Sequence, residues 1–178
     1  DRINVFKYNK QLTNAVHVKQ SAVAAEEDTN IAPDGSNDSD SLTSSSSSTA
    51  NKYVQQVVTT TETGFHTFST HVKSKGVDEV DLLFFRNSSP YTNWGLAKFN
   101  ISQGTVVSTT FGTARIQDLG DDWYRISVSG NVASSGSTGA RISLPTNTSA
   151  GDGVYIWGSQ LELGTSETTL IETTLLAT

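Results

Sequence analysis

An all-β fold, two antiparallel sheets packed as a sandwich in one domain, is what this 178-residue chain predicts. Three observations carry that expectation. At least eight segments alternate apolar and polar residues or run β-branched. No window of 11–18 residues shows an apolar stripe at helical spacing. The composition is rich in 24 Ser and 24 Thr and holds only 35% hydrophobic residues, which suits strands with polar outer faces.

Each predicted strand has its own warrant. Tyr53 to Thr61 is the first strong one. In Thr67 to Lys73, Phe68, Thr70 and Val72 alternate with Ser69, His71 and Lys73. Val80 to Arg86 is nearly continuous apolar, which predicts burial on both faces. Leu96–Ile101, Thr105–Phe111, Trp123–Ser129, Ala140–Leu144 and Val154–Leu163 follow. Turn-forming clusters separate them: Asn87–Pro90, Ser102–Gly104, Gly120–Asp122, Ser134–Gly139 and Thr146–Gly153. Leu161 to Leu176 has spaced leucines but is crowded with stiff Thr, so it reads as extended. Residues 32–50 read as looser, with a mobile Ser-rich loop near 41–50. The residues expected in the core are Phe68, Val72, Leu82, Phe84, Tyr124, Ile126, Val128, Tyr155, Trp157 and Leu161. Trp157 is read as sharing a face with Tyr155 and Leu161, and Trp123 and Arg125 as pointing outward.

Charge and composition narrow the function. The net charge of −6 and pI of about 4.9 argue against nucleic acid. No cysteine means no disulfide and no thiolate metal site. No apolar run approaches a membrane span, and no signal peptide opens the chain. The absence of Met predicts that residue 1 lies inside a longer gene product or follows processing.

The C-terminal string GDGVYIWGSQLELGTSETTLIETT resembles the closing strand of jelly-roll, carbohydrate-binding-module-like domains in bacteriophage tail fibres and virion appendages. Tyr155, Ile156, Trp157, Gly158, Gln160, Leu161, Glu162 and Gly164 match that pattern. Upstream pieces match in order. Ala32 to Gly35 resembles an APDG turn, and Gly64 to Lys73 resembles a "TFS-Y-K" strand. Phe99 to Val107 resembles an "F-LSTGTV" hairpin, and Asp122 to Val128 a "GWYR-SV" strand. Two positions depart: His17 stands where an aromatic is usual, and Leu170-Ile-Glu-Thr173 lacks the usual proline. The resemblance implies a jelly roll on a virion, extracellular, touching host surface glycans and assembling with other virion subunits, most simply as a homotrimer. The alternative it leaves is a purely structural virion module.

Candidate chemistry is sparse. Asp78, Glu79 and Asp81, and Asp118, Asp121 and Asp122, are acidic clusters that read as turn chemistry rather than a catalytic pair. No nucleophile elbow or phosphate-binding loop occurs, and the reading is that the chain is not an enzyme. His66 and His71 lie five apart on one strand, so they face opposite ways and cannot share zinc with His17. Asp34, Asn37, Asp38 and Asp40 are oxygen-rich; an Asx turn is the plainer reading and a structural calcium the other, with no cofactor otherwise expected. Sugar binding needs an aromatic ring with polar neighbours. Trp94 and Tyr91, with Asn93 and Arg86, in the loop SSPYTNWG form the candidate glycan patch, the alternative for Trp94 being that it folds back to cover the end of the sandwich.

Overall fold

A computed structural model describes residues 2–20 and 22–173. Among the described residues twelve strands form two six-stranded sheets, and every strand-to-strand ladder is antiparallel. The first sheet contains β1 (His17–Lys19), β4 (Lys52–Thr60), β11 (Gly136–Leu144), β6 (Glu79–Arg86), β7 (Thr92–Asn100) and β8 (Thr105–Phe111), in that spatial order. The second contains β2 (Val23–Asn30), β3 (Ser39–Ser44), β12 (Gly153–Leu163), β5 (Gly64–Lys75), β10 (Trp123–Val132) and β9 (Thr113–Gly120). This is an all-β, two-sheet antiparallel sandwich of the jelly-roll kind. Among the described residues no helix is long and apolar enough to cross a membrane.

The core sits between the sheets because side chains alternate across each strand. Val54 and Val58, Leu82 and Phe84, Ile142, and Ala97 and Phe99 face inward from the first sheet. Leu42, Phe68, Val72, Ile126, Val128, Val154, Ile156 and Leu161 answer from the second. Phe6, from the segment before β1, stacks on Phe68 at 5.8 Å and meets His17 at 5.3 Å. Val80 to Arg86 is not enclosed on both faces: on the outer one Asp81 and Leu83 stay half-exposed, and Phe85 is the residue of this strand buried there. The apolar run therefore does not mark a strand enclosed on both sides.

Three sequence expectations are corrected here. Residues 41–44, expected within a mobile loop, lie in β3 with Ser41, Leu42 and Ser44 all buried. Trp157 and Leu161 do not share a face. The register of β12 shifts between Trp157 and Gln160, where Gly158 takes φ 62°, a left-handed conformation that favours glycine. The bulge switches the alternation, so Leu161 joins the core between the sheets. Trp157 instead packs with Trp123, Ala32, Tyr155 and Leu170 in a second cluster on the outer side. Trp123 does face outward as expected, but it is covered, and its Nε1 donates to the Ile31 carbonyl at 3.1 Å.

The outer side of the second sheet is strapped by the chain end. Glu162, fully buried, accepts from the Thr168 amide at 2.7 Å and from its hydroxyl at 2.8 Å. The Ile171 amide donates to Gln160 Oε1 at 3.0 Å. Residues 174–176, the end of the leucine-spaced segment, lie outside the described residues.

Candidate functional site

The outer face of the first sheet is the uncovered one, and its register builds a groove. Tyr53, Ser143, Asp81 and Lys98 stand opposite one another across β4, β11, β6 and β7. Gln55, Arg141, Leu83 and Leu96 form the next row, and Val57, Gly139, Phe85 and Asn93 the one after. The side-chain period of two puts all three rows on one face. A cavity of about 630 Å³ opens over the first row, walled by residues 144–147 and by Asn51 and Lys52. That size falls within the roughly 300–1,000 Å³ usual for small-ligand sites.

Packing fixes the groove's side chains. The Arg141 guanidinium carbon lies 3.9 Å from the centre of the Tyr53 ring and 5.2 Å from that of Phe85. Its Nε and Nη2 donate to Gln55 Oε1 at 3.0 and 2.7 Å. Cation–ring contact and a two-pronged amide anchor together hold the fork in one orientation. Glycine at 139 makes room for this arrangement: a Cβ there would meet Phe85 ring carbons at 2.5 Å. At the other side of the groove, Lys98 Nζ lies 3.3 Å from Glu79 Oε2 and 4.0 Å from Asp81 Oδ1. Burial raises the Asp81 pKa above the usual carboxylate value; Lys98 opposes that rise and Glu79 adds to it. Lys52 Nζ is buried, donating to the carbonyls of Ser48 and Thr146.

The residues expected from sequence are divided by the fold. Trp94 is 7% exposed and belongs to the core, its ring 6.5 Å from that of Phe84. This corrects its reading as an outward platform. The cause lies in the opposite sheet, where Gly130 lets the Trp94 backbone approach so closely that a Cβ would stand 1.8 Å from its carbonyl oxygen. Tyr91 is 72% exposed. Asn93 is exposed on the groove-bearing face, in register with Phe85. Arg86 is half-buried, its Nε donating to Ser88 Oγ at 3.1 Å.

Sequence reasoning missed Tyr53, Arg141 and Lys98 and took Glu79 and Asp81 for turn residues. The available signal was the odd-numbered series Glu79, Asp81, Leu83 opposed to Val80, Leu82, Phe84, which places both acids on an outer sheet face. The other acidic cluster is a turn: Asp121 and Asp122 have φ of 52° and 63°, and Asp118 Oδ1 accepts from the Gly120 amide at 2.8 Å.

The oxygen-rich segment closes on a protein cation. Lys10 Nζ lies 3.1 Å from Asp38, 3.7 Å from Asp34 and 2.7 Å from Glu172, with its charge 4.8 Å from the Trp157 ring centre. Asp34 Oδ1 accepts from the Ser36 amide at 3.0 Å, an Asx turn. Asp38 also accepts from Trp157 Nε1 at 2.9 Å, and Asn37 donates to the Asp28 carbonyl at 3.2 Å. Asp40 stands apart, accepting from the Leu12 and Asp28 amides. His17, His66 and His71 are separately buried, and His71 packs edge-on against Trp157 at 4.9 Å.

No protein-family model matches the chain, and no curated protein matches it. Solved structures do. TmCBM61 in complex with β-1,4-galactotriose aligns with TM-score 0.54 and 13% identity, over 89% of this chain and 97% of that one. A CBM4 structure aligns with TM-score 0.51 and 12% identity, over 90% and 93%. The enzymatically active domain of tailspike protein 4 of bacteriophage CBA120 aligns with TM-score 0.52 and 11% identity. The match covers 89% of this chain and only 21% of that domain's chain. At such identities the likeness is one of fold: the chain has the jelly-roll architecture of carbohydrate-binding modules.

Proposed function

We propose that this domain binds saccharides without cleaving them, in the groove on the outer face of the first sheet. The observation that carries the reading is the groove itself. It places an aromatic residue, Tyr53, among carboxylate, ammonium, hydroxyl and guanidinium groups on a sheet floor. Sugars are held by this mixture of apolar contact and directional bonds to hydroxyls. The structural likeness to TmCBM61, which holds β-1,4-galactotriose, supports it. Asn93 and the exposed Tyr91 extend the same surface beyond Phe85, with Arg86 at its end and Trp94 supporting it from the core.

The placement of the acids supports binding over hydrolysis. Glycosidases place two carboxylates on either side of the scissile bond. Glu79 and Asp81 leave the same face of the same strand, and both engage Lys98. Calorimetric titration of a panel containing β-1,4-galactotriose and other oligosaccharides tests the reading. Affinity in the roughly micromolar-to-millimolar range is expected for at least one member. Tyr53→Ala should weaken it by at least about tenfold, a loss of roughly 1.4 kcal/mol. An unchanged affinity in that variant, or hydrolysis products after prolonged incubation, would refute the assignment.

The biological setting we propose is a virion appendage, with the domain repeated by homo-oligomerisation, most simply as a trimer. The ordered sequence matches and the fold likeness to a phage tailspike domain support it. Repetition would turn weak single-site binding into avidity for a host surface. Light scattering that gives a monomer at every concentration tested would count against the trimer.

A further inference from the structure

We infer, on the reading of this groove as a saccharide site, that its ligand is an acidic saccharide whose sugar carboxylate is held by the Arg141 guanidinium. The inference begins with charge accounting along the floor. Lys98 is matched by Glu79 and Asp81. Arg141 has no carboxylate within 4 Å among the described residues. On the outer face Lys98 and Arg141 stand against Glu79 and Asp81, while Lys52 is buried on the inward side with its ammonium held by two carbonyls. Arg141 is thus the cation of the groove floor that no protein carboxylate matches among the described residues, on a chain that carries −6 overall.

Geometry makes Arg141 the receptor for that anion. The fork is half-buried, pinned between two rings, and two of its five N–H groups are committed to Gln55. The remaining N–H groups donate to no acceptor among the described residues. A partly desolvated cation with unused, fixed donors loses free energy until an anion arrives, and a planar carboxylate suits the planar fork. The floor acids do not cancel this attraction. Asp81 lies opposite Ser143 and Arg141 lies opposite Leu83, one row along, so the anionic and cationic ends of the groove are offset. A ligand carboxylate at Arg141 and ring hydroxyls over Glu79, Asp81 and Lys98 would satisfy both ends. A neutral sugar satisfies only the second.

The test uses the full 178-residue chain and four trisaccharide probes: tri-galacturonate, its methyl ester, β-1,4-galactotriose and a sulfated trisaccharide. The ester keeps the ring and removes the charge. Calorimetry should show the acid binding at least about tenfold tighter than its ester in low salt, and the advantage should shrink as ionic strength rises. Arg141→Gln should collapse the ratio of the two affinities toward one, and Arg141→Lys should keep only part of it, because charge remains without the fork. Thermal melts report whether each variant folds; the salt dependence in the unaltered protein stands even if a variant does not. Equal binding of acid and ester, or binding of galactotriose alone, would overturn the acidic assignment and leave the saccharide reading intact. Preference for a sulfated trisaccharide over the uronate would overturn the carboxylate assignment. No binding by any of the four would overturn both.

Discussion

Trp94 shows how a local reading of the sequence can leave a residue's direction open. The sequence marks it as an aromatic in a turn-rich loop with polar neighbours, which fits a sugar platform. Its direction depends on Gly130, thirty-six positions on and in the other sheet, whose missing side chain admits the Trp94 backbone. No local pattern carries that information. Trp94→Ala should therefore destabilise the fold by roughly 3–5 kcal/mol, read as a fall in denaturation midpoint; an unchanged midpoint would show that the ring is not core. Gly139 makes the complementary point. Gly139→Ala drives a methyl group into the Phe85 ring, which Arg141 leans upon. The expected outcome is weaker saccharide binding with a melting temperature lowered by only a few degrees; binding at full strength would mean that the ring's position is immaterial.

At the scale of elements, most strands were legible, but β1, β2, β3 and β9 were not. β4, β5, β6, β8 and β10 fall within a few residues of their expected places. β3, Ser-Asp-Ser-Leu-Thr-Ser, carries a single large apolar residue, and its other buried side chains are polar: Ser39 Oγ donates to the Asn30 carbonyl at 2.7 Å and Asp40 accepts two amides. β12 was found, but its bulge was not, so the partners of Trp157 were misassigned. The proposed saccharide face escaped for a different reason. Its residues come one or two from each of four strands, and only the pairing register brings them together. The terminal strap yields a further prediction. Shortening the chain after Gly164 removes the Thr168 and Ile171 partners of the buried Glu162 and Gln160. Buried groups left unpaired are costly, so the melting temperature should drop sharply; a melting curve that stays in place would show that the strap is ornamental.

The molecule as a whole should lose stability in mild acid. Burial holds the pKa of His17 and of His71 at about 4, below the ordinary 6.5, with Lys19 adding to the effect at His17 and Arg125 at His71. Above pH 6.5 both rings are neutral, folded or not. Between 6.5 and 4 the unfolded chain takes protons that the folded chain refuses, which costs roughly 3 kcal/mol for each histidine by pH 4. Asp40 and Asp81 work the other way: burial raises both, Asp40 to about 6, so lowering the pH relieves them. The two histidines outweigh these aspartates, and the melting temperature should fall from pH 7 to pH 4.5; a rise would reverse the balance. The central claim is that the outer face of the first sheet, and not the strapped face of the second, takes the sugar. Amide chemical-shift mapping during titration with the tightest-binding oligosaccharide tests it most directly. The account predicts shifts concentrated at Tyr53, Asp81, Lys98, Arg141 and Ser143, with residues around Trp157 and Trp123 unmoved. Shifts centred on the Trp157 cluster, with Arg141 and its neighbours silent, would contradict it.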